Sequence, residues 1–187
     1  MGTRHILLVR HGQYDAEGIG SLTELGREQA AHTGQWLSQN VAGIYRLRVE
    51  AIFSSTLPRA KETSDIIAKS LTRSRPVKRA AVLREGMYSK VKGYEVPASE
   101  REEDRQRADA AFEKFFRVSR TDRLEILVCH GNLIRYLVCK AMEIPVLRWT
   151  RMNSNHCALT RVLIRDTGAV RVVSYNETAH LPPRLIT

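Results

Sequence analysis

The stretch His5-Ile6-Leu7-Leu8-Val9-Arg10-His11-Gly12 decides how the chain folds. A short apolar run bounded by polar residues reads as a strand buried on both faces of a sheet. It ends abruptly in Arg10-His11, and Gly12 lets the backbone turn there. The same design recurs at Leu124-Glu125-Ile126-Leu127-Val128-Cys129, followed by His130-Gly131-Asn132. That is the best strand in the sequence, and Gly131-Asn132 opens a helix to about Met142.

Between these two strands the pattern alternates. Thr23 follows a Gly-rich loop (Gly18, Gly20), and Leu25, Ala30, Gly34 and Leu37 recur at helical spacing, predicting a helix from Thr23 to about Ser38. Val49–Ser54 is a second strand. Pro58 sits just inside the next helix, which runs to about Ser70. Val77–Leu83 reads as a third, weaker strand. A helix over Glu100–Ser119 presents Ala108, Ala111, Phe112 and Phe115 inward. His156–Arg165 and Val170–Tyr175, joined at Asp166-Thr167-Gly168, close the chain as a hairpin. Strands alternating with helices imply an α/β fold, a three-layer α/β/α sandwich with a mostly parallel central sheet. Ligands of such sheets bind at the carboxyl ends of the strands.

Composition narrows the class. The 187 residues suit a single domain over 1–187, and 43% hydrophobic with 27% charged residues can fill a core, excluding a disordered or repetitive chain. No apolar run approaches the ~20 residues of a membrane helix, and Met1–His5 leads into too short an apolar block for a signal peptide. These features predict a soluble intracellular domain with no membrane segment. Cys129, Cys139 and Cys157 form no CxxC pair, so buried reduced thiols are expected. The net charge of +10 is the compositional oddity. Lys69, Arg73, Arg75, Lys78, Arg79 and Arg84 form one basic run with no acidic residue, and Arg148, Arg151, Arg161 and Arg165 form another. Such a field draws anionic partners. Nucleic acid is not the expected one, because aromatics are only 6% of the chain and none interleaves Lys69–Arg84.

Three strand ends carry unusual polar residues: Arg10-His11-Gly12, Ser54-Ser55 with Arg59 one turn into the next helix, and His130-Gly131-Asn132. Glu85 follows the third strand in Leu83-Arg84-Glu85-Gly86. Two histidines, two arginines and a carboxylate, each just past a strand, form one candidate constellation. The start of the helix after His130 adds free N–H groups and a positive dipole end.

This set resembles the histidine phosphatase superfamily, which also contains the cofactor-dependent phosphoglycerate mutases. The resemblance covers nearly the whole chain. It rests on Arg10-His11-Gly12, Leu22–Ala30, Ser54–Thr63, Leu83–Gly86 and Val128–Asn132, in the family's order. Within the superfamily the chain looks closest to the mitochondrial, phosphoglycerate-mutase-like protein serine/threonine phosphatases, on Thr3-Arg4-His5, Gln13-Tyr14, Asn132–Tyr136 and Leu181-Pro182-Pro183. The resemblance implies a phosphorylated protein as substrate, a homodimer, and a mitochondrial location; without it the expectation is cytoplasmic. Near Asn155-His156-Cys157-Ala158 the chain departs from the pattern, which has Gly or Ser where His156 and Cys157 stand.

The residues suit phosphomonoester chemistry, which is mainly positioning and charge neutralisation. Arg10 and Arg59 grip phosphate oxygens with planar forks. His11 attacks phosphorus and becomes phosphohistidine, its other nitrogen donating to a backbone carbonyl. His130 completes a cationic wall, and Gly131 contributes to substrate binding. Glu85 protonates the poor alkoxide leaving group and later activates water, which requires a raised pKa. Asp15 and Glu62 are the other carboxylates near the motifs; Glu62, three residues after Arg59 on a helix, is expected to be its ion-pair partner. No cofactor is expected, no metal is required, and no Asp/His cluster suggests one. His5, His32, His156 and His180 read as structural or exposed. Cys129 reads as core.

Only Met87–Ser99 separates Glu85 from the following helix, too little for a mutase-like lid, so an open mouth and a protein substrate are expected. Arg84, Lys90, Lys92 and Arg151 are candidates for attracting a phosphopeptide. A small-molecule or phosphohistidine phosphatase is the alternative activity. A phosphoprotein-binding scaffold with a degenerate site is the alternative class, disfavoured by retention of all five polar residues.

Overall fold

The two histidine-bearing strands lie side by side. β1 (Arg4–Arg10) pairs in parallel with β4 (Arg123–Cys129), Arg10 opposite Cys129. β4 pairs in parallel with β2 (Val49–Ser54), and β2 with the two-residue β3 (Lys78–Arg79). β5 (Leu159–Ile164) runs antiparallel to β1, and β6 (Val170–Glu177) antiparallel to β5. The six strands stand in the order β3-β2-β4-β1-β5-β6. This computed structural model describes residues 2–71 and 76–187; Arg73 and Arg75 of the basic run lie outside them.

Alternation along β1 shows why both faces must be covered. Ile6 and Leu8 join the core under α3 (Ala98–Phe115) and α4 (Gly131–Ala141), with Ala111, Phe115, Leu133 and Leu137. Leu7 and Val9 face α1 (Glu24–Tyr45) and α2 (Pro58–Ser70), meeting Leu37, Val41 and Ile67. Burying each such side chain contributes about 1.5–3 kcal/mol. The result is the expected three-layer sandwich, parallel over β1 to β4 and antiparallel at its closing hairpin.

Four local expectations need correction. α1 continues past Ser38 to Tyr45, because Val41 extends the buried stripe one turn beyond Leu37, and it stops where Arg46 takes a left-handed conformation (φ 52°). The third strand does not fill Val77–Leu83. After Lys78–Arg79 the chain curls into a 3-10 turn, Ala81–Leu83, which buries Leu83 completely. α3 begins after Pro97 and ends at Phe115 rather than Ser119; its neighbour Phe116 turns in to stack on Phe112 at 4.4 Å. The unforeseen 3-10 segment Val146–Arg151 lies after α4 and buries Trp149, whose Nε1 donates to Ser89 Oγ at 3.1 Å.

At the opposite end of the sheet from the histidines, Glu125 on β4 is buried between two arginines. It accepts from Arg4 Nε at 2.8 Å and lies 2.9 Å from Arg123. The three cysteines are free and buried.

Candidate active site

The strand ends bring all five predicted polar residues to one pocket. His11 leaves β1 and is buried, its backbone N–H donating to Cys129 O at 3.0 Å. Its Nδ1 lies 2.8 Å from the carbonyl of Gly12, which fixes the proton on Nδ1 and leaves the Nε2 lone pair facing the pocket. Gly12 in turn donates its N–H to Thr63 Oγ1 of α2 at 3.0 Å, and Gln13 N–H donates to buried Gln29 at 2.8 Å. The turn after β1 is thus held by two helices.

Arg59, in the first turn of α2, donates from Nε to His11 Nε2 at 3.1 Å and stacks over Tyr14 at 4.4 Å. It makes no ion pair with Glu62. That carboxylate instead binds Arg27 of α1 at 2.6 Å and accepts from Leu22 N–H at 2.9 Å, so the expected Arg59–Glu62 pair is corrected. Helical spacing alone suggested it, but an arginine from another helix wins. Asp15 caps its own exposed turn, accepting from Glu17 and Gly18 N–H.

Arg10 hydrogen-bonds the Ser154 carbonyl through Nη1, while its Nε is buried without a partner among the described residues. It lies along the start of α4, where a Cβ on Gly131 would come within 3.3 Å of that Nε. His130 is the N-cap residue of α4; its Nε2 is 2.8 Å from Ser55 Oγ and its Nδ1 is buried without a partner among the described residues. The His11 and His130 rings are 5.0 Å apart.

Glu85 enters from the bend after the 3-10 turn. Its loop is tied on both sides: Arg107 Nη2 donates to Glu85 O at 2.8 Å, and Asn132 Nδ2 to Gly86 O at 3.0 Å. Its Oε1 is buried without a partner among the described residues. Loss of hydration pushes the carboxyl up to about 7, against the opposing pull of Arg59 and Arg10. Burial drives His11 well below its ordinary value, helped by His130, and drives His130 down likewise, helped by Arg59 and Arg10. Both shifts favour neutral imidazoles before a ligand binds, when the positive charge of the pocket is carried by Arg10 and Arg59. Burial also pushes the Cys129 thiol up, which suits a core residue and not a nucleophile.

Three unpartnered buried polar atoms thus converge: a guanidinium N–H, an imidazole nitrogen and a carboxyl oxygen. Buried groups of this kind are normally satisfied, so the cluster is built for a polar ligand. His11, Glu85 and His130 also have ligand atoms within 4.8 Å of one another, a two-histidine, one-carboxylate set that the sequence did not suggest. Its donor types suit a metal, but Arg59 Nε stands 3.1 Å from the very nitrogen a cation would need. With Arg10 alongside, the set fits an oxyanion and not a cation.

Sequence reasoning missed two residues here. Ser55 stands in the flagged Ser54-Ser55 pair, but only the fold reveals that it holds His130. His156, expected to be structural or exposed, lies with its ring 5.7 Å from that of His11. Arg84, Lys90, Lys92 and Arg151 are all exposed, as a docking role needs. A cavity of about 530 Å³ opens beside Glu85, between Leu57, Arg84, Arg107 and the start of α3.

The family model described as histidine phosphatase superfamily (branch 1) matches residues 6–106 and 95–178. The serine/threonine-protein phosphatase Pgam5, mitochondrial, of Drosophila yakuba is 36% identical over 197 residues, covering 98% of this chain and 66% of that protein. The chain therefore spans about two thirds of the length of the curated relatives it matches. Among solved structures, a phosphoglycerate mutase from Plasmodium falciparum is 29% identical with a TM-score of 0.67, covering 98% of this chain and 96% of that one. Bacillus stearothermophilus YhfR, 22% identical with a TM-score of 0.74 over 96% of this chain and 100% of its own, shares the fold.

Proposed function

Because the chain belongs to the histidine phosphatase superfamily, we propose that it hydrolyses phosphoserine and phosphothreonine in proteins, without a metal, through a phosphohistidine on His11. The observation that carries the reading is the His11 imidazole: Nδ1 is committed to the Gly12 carbonyl and Nε2 meets the Arg59 guanidinium. The protein substrate and a mitochondrial location come from the names of relatives such as the Drosophila protein. The exposed Arg84 lining the cavity beside Glu85 and the short segment before α3 support a protein substrate. Among the described residues no helix is long and apolar enough to cross a membrane.

In the first step Arg10 and Arg59 bind the phosphoryl oxygens, displacing the Arg59–His11 hydrogen bond. The His11 Nε2 lone pair forms the N–P bond as the ester P–O bond breaks. Glu85, protonated because burial has raised its pKa, gives its proton to the departing alkoxide. The carboxylate left behind takes a proton from water as that water attacks phosphorus. The N–P bond then breaks and inorganic phosphate leaves. His130, held by Ser55, offers its free Nδ1 side to the transferring group throughout.

Quenched-flow trapping with a radioactive phosphosubstrate in excess chelator tests this. His11→Ala abolishes both turnover and labelling. Glu85→Ala slows alkyl phosphoesters severely but spares the first step with an aryl phosphate, whose phenolate needs no proton, so an acid-labile, base-stable phosphoenzyme accumulates. Equal losses on both ester types with no trapped intermediate would overturn the assignment of Glu85. Loss of all activity in chelator, restored by manganese or magnesium, would overturn the metal-free mechanism.

A further inference from the structure

His156 occupies the approach to β5, and three observations set it apart from the chain's other non-catalytic histidines. Its ring lies 5.7 Å from the His11 ring. Its Nε2 is buried and has no hydrogen-bond partner among the described residues. Its other nitrogen, Nδ1, is held 2.9 Å from Thr187 Oγ1, while its backbone N–H donates to Thr187 O at 2.9 Å.

The hydrogen-bond chain behind it holds the ring in place. Gln29 is completely buried, and its amide is oriented by three bonds: Oε1 accepts from Gln13 N–H, and Nε2 donates to Leu185 O and to Thr187 Oγ1. Thr187 Oγ1 accepts from Gln29 and keeps its own hydrogen, which it can donate to His156 Nδ1. With Nδ1 as acceptor, the neutral ring carries its hydrogen on Nε2. A buried N–H without an acceptor costs free energy unless a ligand supplies one. Burial and the Arg10 guanidinium hold this ring neutral, with its pKa near 4, against the opposing pull of the Thr187 hydrogen bond, so in the form with Nδ1 as acceptor the donor is an uncharged N–H.

We propose that His156 is a further phosphate-binding residue, its Nε2–H donating to an oxygen of the bound phosphoryl group, with Gln29 and Thr187 as the positioning residues that orient the ring. The proposal rests on the reading of this pocket as a phosphate site. It also explains how the turn after β1 is coupled to this side of the pocket, because the same Gln29 amide holds Gln13 and Thr187.

The test uses inorganic phosphate as probe, by competitive inhibition of aryl phosphate hydrolysis and by nitrogen-detected NMR of the imidazoles. In the unmodified protein, phosphate shifts the His156 Nε2 resonance. His156→Ala weakens phosphate binding about tenfold, the effect of losing one hydrogen bond to a charged group. His156→Asn, which restores an N–H donor, recovers part of that loss. Thr187→Val lets the ring exchange its proton between nitrogens and weakens phosphate binding in the same direction. Unchanged phosphate affinity in His156→Ala, or an Nε2 resonance that phosphate leaves in place, overturns this inference alone. An unmodified protein that neither binds phosphate nor turns over aryl phosphate overturns the underlying pocket reading and this inference with it.

Discussion

Ser55 Oγ lies 2.8 Å from His130 Nε2, so a side chain at the end of β2 fixes the imidazole at the end of β4. Both residues are fully buried, and among the described residues the hydroxyl is the one side-chain partner of a ring whose other nitrogen is buried and unpaired. Ser55→Ala removes that partner without touching the substrate. Turnover of an aryl phosphate should fall about tenfold, in line with one lost hydrogen bond of about 1.5 kcal/mol. Steady-state kinetics check it; an unchanged rate would mean that packing alone holds the ring.

Arg59→Ala and Lys92→Ala separate gripping the phosphoryl group from attracting the substrate. Arg59 is 3.1 Å from the nucleophilic nitrogen, whereas Lys92 is exposed on the loop before α3. The arginine variant should lose about 10²–10³ in kcat. The lysine variant should mainly raise KM for phosphopeptides, and less so as salt increases. Similar modest losses in both would reduce Arg59 to a structural residue.

The raised Glu85 pKa predicts a pH-dependent stability. Folding lifts this carboxyl from its ordinary 4.5 to about 7, so the folded state holds a proton that the unfolded chain releases. The contribution of Glu85 is thus fully present below about 4.5, is lost as pH rises through about 7, and is level beyond. Glu85→Gln keeps a neutral group in place and should be more stable than the unmodified protein at pH 8, by up to about 3 kcal/mol. The advantage should shrink toward pH 5. Urea titrations of both proteins across that range check it; a difference independent of pH would show that Glu85 titrates normally.

Several of these relationships were legible in the sequence, and the reasons differ by residue. His11 and His130 could be found because a buried strand ending in a polar residue and a glycine is a local signal, carried by contiguous residues. Glu85 was legible as a motif residue, yet its approach was not, because the expected strand gives way to the turn that buries Leu83. The Arg27–Glu62 pair joins residues 35 apart, and the contact of His156 with His11 depends on how β5 returns beside β1. Neither leaves a trace in sequence spacing. The length of α1 was readable in principle from Val41, but the intervening polar residues Ser38, Gln39 and Asn40 masked the last inward turn.

Glu125→Ala tests the buried charges far from the pocket. Removing the carboxylate leaves Arg4, which is 5% exposed, without its counter-charge. A loss of about 3–5 kcal/mol is expected, as for one broken partner of a buried ion pair. Chemical denaturation measures it; a loss below about 1 kcal/mol would mean that Arg4 finds water or another acceptor.

That ion pair has a second consequence, because β1 and β4 share one ladder from Arg4 opposite Arg123 to Arg10 opposite Cys129. Sliding one strand past its neighbour by a single residue would turn its whole set of side chains to the other face. Glu125 would then be sealed among aliphatic residues, and buried Arg4 would be left without its counter-ion. The buried salt bridge therefore acts as an indexing pin for the sheet. What it indexes lies at the other end of the same rungs: the 5.0 Å separation of the His11 and His130 rings. The alignment of the reacting groups is guarded by charges that never meet the substrate.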